Sequence, residues 1–182
     1  MLIIHMITQD DTRDFSHIYE ELDVFEPTIL INPSKSEAKK AIMTEDDTIV
    51  LIGHGNENGL FNQRMDGFII DSNSVQFLRE KTIIGIWCYA GNFADRYDLH
   101  GFFSSMFISN PIELLEVAGF EEFDNCEDII REENVSFSNK INSLLRTNVP
   151  TCEWADRLSE SVKDNPHKFV HYNYEAIYST DN

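Results

Sequence analysis

Two short apolar runs dominate the patterning of this chain, Thr48-Ile49-Val50-Leu51-Ile52 and Thr82-Ile83-Ile84-Gly85-Ile86-Trp87. Neither alternates polar with apolar positions, and both are rich in β-branched residues. That pattern predicts strands covered on both faces, as in a parallel sheet packed between helices. Residues 2–7 and 28–31 read as two further strands. Between them, Phe15, Ile18, Tyr19 and Leu22 fall on one stripe of a helix whose N-cap is Asp10 or Asp11. Pro33 and Ser34-Lys35-Ser36-Glu37 have capping-box spacing and predict a helix reaching about Met43. Residues 59–62 and 67–70 flank the polar Gln63-Arg64-Met65-Asp66, which suggests a small hairpin. Asp71 or Ser72 would cap a helix carrying Val75, Phe77 and Leu78.

The second half is less regular. Residues 101–109 read as a strand, and Pro111 opens a helix through Leu115. Asp124-Asn125-Cys126-Glu127 caps another helix, while Ile141, Leu144 and Leu145 belong to a further helical segment. Residues 168–179 alternate and are rich in aromatics, which predicts a terminal strand at a sheet edge. Regular strand-helix alternation implies a parallel α/β layer architecture. With no repeat, low-complexity tract or linker, 182 residues are expected to form one domain, 1–182.

Composition narrows the function classes. Thirty-two acidic residues against fourteen basic ones give a formal net charge of −18. Direct nucleic-acid binding is not expected, because phosphate backbones are repelled. An acidic mimic of DNA that inhibits a nucleic-acid enzyme stays open as an alternative. Cys88, Cys126 and Cys152 form no paired framework and no CxxC, which suggests free thiols in a reducing compartment. The apolar start, residues 1–7, is too short and lacks basic flanks for a secretory signal. No run approaches the roughly 18 residues of a membrane span. A cytoplasmic protein without membrane contact is the expectation.

The chemistry lies where the two apolar runs stop. One ends at Gly53-His54-Gly55 and the other at Cys88-Tyr89-Ala90-Gly91-Asn92. Ligands of open α/β sheets bind outside the carboxyl ends of the strands, and adjacent strands lie about 4.8 Å apart. An imidazole and a thiol are therefore offered at one edge. Such an imidazole draws a thiol toward thiolate and later protonates a leaving amine. The amides of Gly55 and Cys88 are candidates for stabilising an oxyanion, each such donor being worth about 2.7–4 kcal/mol of barrier. Each residue taken alone has a plainer reading, a buried cysteine or a turn histidine. Their conjunction points to acyl transfer by a nucleophile and a base.

These two blocks, residues 49–55 and 83–91, resemble the signature blocks of the caspase-like (clan CD) cysteine peptidases. The resemblance is confined to residues 48–92. It implies a three-layer α/β sandwich with a mainly parallel central sheet, the histidine ending one central strand and the cysteine the next. It further implies a cysteine endopeptidase with a polypeptide substrate and no cofactor. His54 then looks like the catalytic histidine, Cys88 like the nucleophile, and the Gly55 and Cys88 amides like the oxyanion hole. A catalytically inactive binding module of the same fold is the first alternative.

Weaker candidates for substrate binding are Arg13 and Arg64, which suit an acidic side chain, and Asp66, which suits a basic one. Asn92 is a candidate for orienting substrate or the histidine, with turn capping as its plainer role. Trp87 reads as core. His5, His17, His100, His167 and His171 are scattered, and with Cys126 and Cys152 they lack zinc-ligand spacing, so no metal is expected. No GxxxxGK[ST] or GxGxxG occurs, which argues against a nucleotide cofactor.

Overall fold

A computed structural model describes residues 1–8, 11–22, 26–117, 119–121 and 123–180. The four apolar runs of the first half form strands β1 (Leu2–His5), β2 (Thr28–Ile31) and β3 (Thr48–Ile52), with β7 at Thr82–Ile86. Between β3 and β7 come three short strands, β4 (Gly55–Asn56), β5 (Gly59–Phe61) and β6 (Phe68–Ile70). The last two strands are β8 (His100–Ser104) and β9 (Ile177–Thr180). The central sheet has the order β2-β1-β3-β7-β8-β9, and a second sheet has the order β4-β5-β6. All pairings in the central sheet are parallel except β8 with β9.

Continuous apolar runs are needed because successive side chains leave the sheet on opposite faces. Ile3, Val50, Ile52, Ile84, Ile86 and Phe102 supply one core. That core is closed by the 3₁₀ turn Asp11–Ile18 and by helices α3 (Cys126–Arg146), α4 (Trp154–Glu160) and α5 (Lys168–Glu175). Leu2, Ile4, Ile49, Leu51, Ile83 and Phe103 supply the other. Helix α1 (Lys35–Thr44), the small sheet and α2 (Ala90–Tyr97) close that face. The result is an α/β fold with helices on both sides of a six-stranded, mainly parallel sheet. Full burial of each such aliphatic side chain contributes about 1.5–3 kcal/mol.

Helix α1 begins where the capping box predicts. Glu37 N–H donates to Ser34 Oγ at 3.3 Å, and Ser34 N–H donates to the Glu37 carboxylate at 2.8 Å. Three expectations are met only in part in the second half. Residues 168–179 are helix α5 followed by β9, because Phe169, Val170, Asn173 and Tyr174 recur at helical spacing and are buried together. The strand expected over 101–109 spans His100–Ser104. Beyond Ser105, whose N–H donates to Ala176 O at 2.5 Å, the chain is held by side chains instead of a neighbouring strand. The separate segments around Asp124 and Ile141 are one 21-residue helix, α3. Upstream, the helix expected from Asp11 is a 3₁₀ turn ending at Ile18, and the one expected after Asp71 is the 3₁₀ turn Val75–Phe77. The Asp10 cap lies outside the described residues. Among the described residues, no helix is long and apolar enough to cross a membrane.

One buried core residue is a histidine with both ring nitrogens bonded. His5, at the end of β1, is 0% exposed. Its Nε2 lies 2.8 Å from the Thr12 carbonyl and its Nδ1 3.0 Å from the Tyr19 hydroxyl. A carbonyl only accepts, so Nε2 carries the proton and Nδ1 accepts from Tyr19. Burial lowers the His5 pKa from 6.5 to about 4, opposed by the bond to Thr12. The unfolded chain therefore binds this proton first as pH falls. The stability contributed by the neutral ring is whole above pH 6.5 and is lost between 6.5 and about 4, an amount of roughly 3 kcal/mol. Urea unfolding of wild type and His5→Gln at pH 7, 5.5 and 4 should show the variant losing that much less across the window. Parallel curves for the two proteins would refute the assignment.

Candidate functional site

Strands β3 and β7 are neighbours in parallel register, with Ile52 opposite Ile86. Their ladder runs one bond past the last paired residues, since Gly53 N–H donates to Ile86 O at 3.1 Å. On its other side β3 is met by β1, where Met6 N–H donates to Ile52 O at 2.8 Å. His54 and Cys88 each sit two residues beyond this register pair, on adjacent strands running the same way. Both line one narrow cleft, together with Thr12 from the 3₁₀ turn Asp11–Ile18 and Phe107 and Ser109 from the segment after β8. The cleft measures about 20 Å³, enough for about one water molecule.

Trp87, expected in the core, is 2% exposed and joins the two loops. Its indole N–H donates to the Asn56 carbonyl at 3.2 Å, so the residue before the cysteine grips the strand after the histidine. Gly55 lies flat against that ring. A Cβ there would come within 2.2 Å of Trp87 Cδ1 and 2.6 Å of the Gly59 carbonyl oxygen. The chain then turns sharply from β7 into α2. Tyr89 takes left-handed backbone angles with φ 65°, an uncommon conformation for a residue with a Cβ. Ala90 N–H and Ser104 Oγ, at 3.0 and 2.9 Å, both donate to the Trp87 carbonyl and hold that turn. Gly91 lies where a Cβ would meet the Tyr178 ring at 2.1 Å.

The segment after β8 forms the opposite wall. Phe107 is 5% exposed and its ring packs 4.8 Å from Phe137 and 5.8 Å from Phe15. Its carbonyl faces the Cys88 sulfur at 3.9 Å. The buried Asn173 side chain bonds both polar groups of Ile108, accepting at 2.7 Å and donating at 2.9 Å. Buried Asn134 donates to the Ser109 carbonyl at 2.9 Å. The Glu113 carboxylate accepts from Ser109 N–H and Oγ at 2.7 and 2.9 Å.

Electrostatically the thiol is at rest. Burial, and secondarily the Glu113 carboxylate, push the Cys88 pKa up to about 11. The contacts with the Phe107 carbonyl and with the Cys88 main chain oppose that rise. At pH 7 roughly one molecule in ten thousand then carries a thiolate. His54 is half-buried, and its carbonyl accepts from Phe61 N–H at 2.8 Å at the head of the small sheet.

The remaining candidates are dispersed. Arg13 is exposed on the 3₁₀ turn, next in sequence to Thr12. Arg64 and Asp66 are exposed in the β5–β6 turn, where Asn62 Nδ2 donates to Asp66 Oδ1 at 2.8 Å. Asn92 is exposed on α2. None of the four lines the cleft. Thr12, Ser104, Phe107 and Ser109 escape a reading of the sequence, for they reach the cleft only through tertiary contacts. None of the three cysteines is in a disulfide; Cys88 is half-buried, Cys126 buried and Cys152 exposed.

Gly55→Ala should lower stability by about 1–3 kcal/mol, because Trp87 is held by its own hydrogen bond and the Gly59 carbonyl cannot withdraw. A urea midpoint equal to wild type would contradict that. For the thiol, the rate of Cys88 alkylation by iodoacetamide, followed by peptide mass spectrometry in a Cys152→Ser background, should rise about tenfold per pH unit from 6 to 9.5 without levelling. A plateau below pH 8.5 would mean the sulfur is far less enclosed than described. No protein-family model, no curated protein and no solved structure matches this chain.

Proposed function

We propose that the chain is a cysteine hydrolase of peptide bonds, with Cys88 as nucleophile and His54 as general base and acid. One observation carries this reading. A thiol and an imidazole occupy equivalent positions beyond the ends of two adjacent parallel strands and open onto one cleft. The topology also agrees with what the caspase-like resemblance implies, a histidine ending one central strand and a cysteine the next. In the proposed reaction His54 takes the Cys88 proton as sulfur bonds the scissile carbonyl carbon. The amides of Gly55 and Cys88 are the proposed donors to the resulting oxyanion. His54 then gives its proton to the departing amine, leaving a thioester. Water, deprotonated by His54, attacks the thioester carbonyl. The acid leaves, and the proton returns to the sulfur.

The second reading is a non-catalytic binding module of the same architecture. It is favoured by the raised thiol and by a cleft with room for about a single water. Peptidyl acyloxymethyl ketones separate the two, because they alkylate a cysteine only where an activated thiol meets a seated peptide. The expected result is labelling of Cys88 that disappears in Cys88→Ala and slows about 10²–10⁴-fold in His54→Ala. Labelling at Cys152 alone, or indifference to His54→Ala in a protein that still melts cooperatively, would leave the binding module standing.

A further inference from the structure

The core beneath β3 and β7 stops short of the amino ends of these strands. Along the face that carries Val50, Ile52, Ile84 and Ile86, the first positions are Thr48 and Thr82, which are register partners. A cavity of about 430 Å³ opens there, between the two threonines and the chain that joins α3 to α4. Small-molecule sites typically measure roughly 300–1,000 Å³. At about 3.3 Å per residue, Thr48 and His54 lie about 20 Å apart along the strand, so this cavity is separate from the cleft.

Its floor is apolar, formed by Ile84, the buried Trp154, and Leu144 and Leu145 from the last turn of α3. One rim is the reversal after α3, where Asn148 takes left-handed angles with φ 51°. The next carbonyl, of Val149, accepts from the Trp154 indole N–H at 2.9 Å, which ties this rim to the floor. Hydrogen-bonding groups surround the floor. The Thr82 and Thr151 hydroxyls and the Asn148 side-chain amide line the cavity and have no protein partner among the described residues.

The unpaired charge around the cavity is negative. No lysine, arginine or histidine is among its lining residues. The Met1 ammonium is, and it is paired with Glu45 at 3.2 Å. Asp47 lines the cavity and is exposed. Its carboxylate accepts from the Thr48 hydroxyl at 3.2 Å and has no ion pair among the described residues. The end of the 21-residue α3 adds partial negative charge, and Arg146 in its last turn is directed to Glu21 at 3.4 Å. A chain of net charge −18 also draws cations in at long range and repels anions.

We propose that this cavity binds a small organic amine, its apolar body on the floor between Ile84 and Trp154 and its ammonium at Asp47. Thr82, Thr151 and Asn148 supply hydrogen bonds to polar substituents of the ligand. The site is independent of the chemistry proposed for Cys88.

Three indoles of similar shape test this by calorimetry: tryptamine, which is cationic, tryptophol, which is neutral, and indole-3-acetate, which is anionic. Tryptamine should bind one to one and at least tenfold tighter than tryptophol, while indole-3-acetate should give no heat of binding. Asp47→Asn keeps an acceptor for Thr48 and should bring tryptamine and tryptophol within threefold of each other. Cys152 is exposed on the cavity wall, so Cys152→Trp should obstruct the entrance without disturbing the core, and binding should be lost. Bound tryptamine should also slow alkylation of Cys152 by iodoacetamide at least fivefold. Absence of tryptamine binding to wild type, or equal affinities for the amine and the alcohol, overturns the proposal. So does a cation preference that survives Asp47→Asn. An affinity for tryptamine that Cys152→Trp leaves unchanged in a protein with wild-type melting overturns it as well, by placing the amine on the acidic surface at large.

Discussion

The site depends on the parallel pairing of β3 with β7. With Ile52 opposite Ile86, both strands stop at the same height, and the Gly53 to Ile86 hydrogen bond carries the alignment one step into the loops. A slip of one residue would send every side chain of one strand to the opposite face. Such a slip is opposed because both faces are already filled. Ile49 and Leu51 belong to one core, and Val50 and Ile52 to the other. The burial that stabilises the sheet is thus also what brings His54 and Cys88 to one cleft. Trp87 adds a second constraint by tying the cysteine strand to Asn56 in the histidine loop.

The wall facing this pair is built differently. From Phe107 to Ser109 the chain belongs to no strand, yet its polar groups are met by side chains of α5, α3 and the turn at Glu113. Asn173 imitates a neighbouring strand by both donating to and accepting from Ile108. A buried chain with its backbone satisfied by three side chains is ordered, but its order rests on a few bonds of about 0.5–1.5 kcal/mol each. A ladder of a central strand has no such economy of parts.

What the sequence made legible follows the same division. The runs at 48–52 and 82–86 are readable because two-sided burial leaves no polar position after the opening Thr48 and Thr82, and the Ser34–Glu37 box is readable because capping is local. His54 and Cys88 could be singled out because each directly follows such a run. Asn134 and Asn173 could not, for an asparagine in a helix signals exposure, and these are buried only because Ser109 and Ile108 come to them from distant sequence. Residues 168–179 misled for a related reason. Their aromatics satisfy a two-residue period well enough to suggest a strand, while burial of Phe169, Val170 and Tyr174 on a helix obeys the other period. Arg13, Arg64, Asp66 and Asn92 were attractive as isolated charges or amides, and all four are exposed outside the cleft.

On the proposed reading, a nucleophile that is hard to ionise has a physical logic. A thiol kept neutral by enclosure and by a neighbouring carboxylate is a poor target for small electrophiles and oxidants, since those react with the thiolate. Activation then has to come from whatever enters the cleft. Interactions made only as the reaction begins accelerate it, whereas a thiolate stabilised beforehand would also lower the energy of the resting state. Enclosure and charge thus act in the same direction on Cys88, and only a ligand able to reverse both would use it.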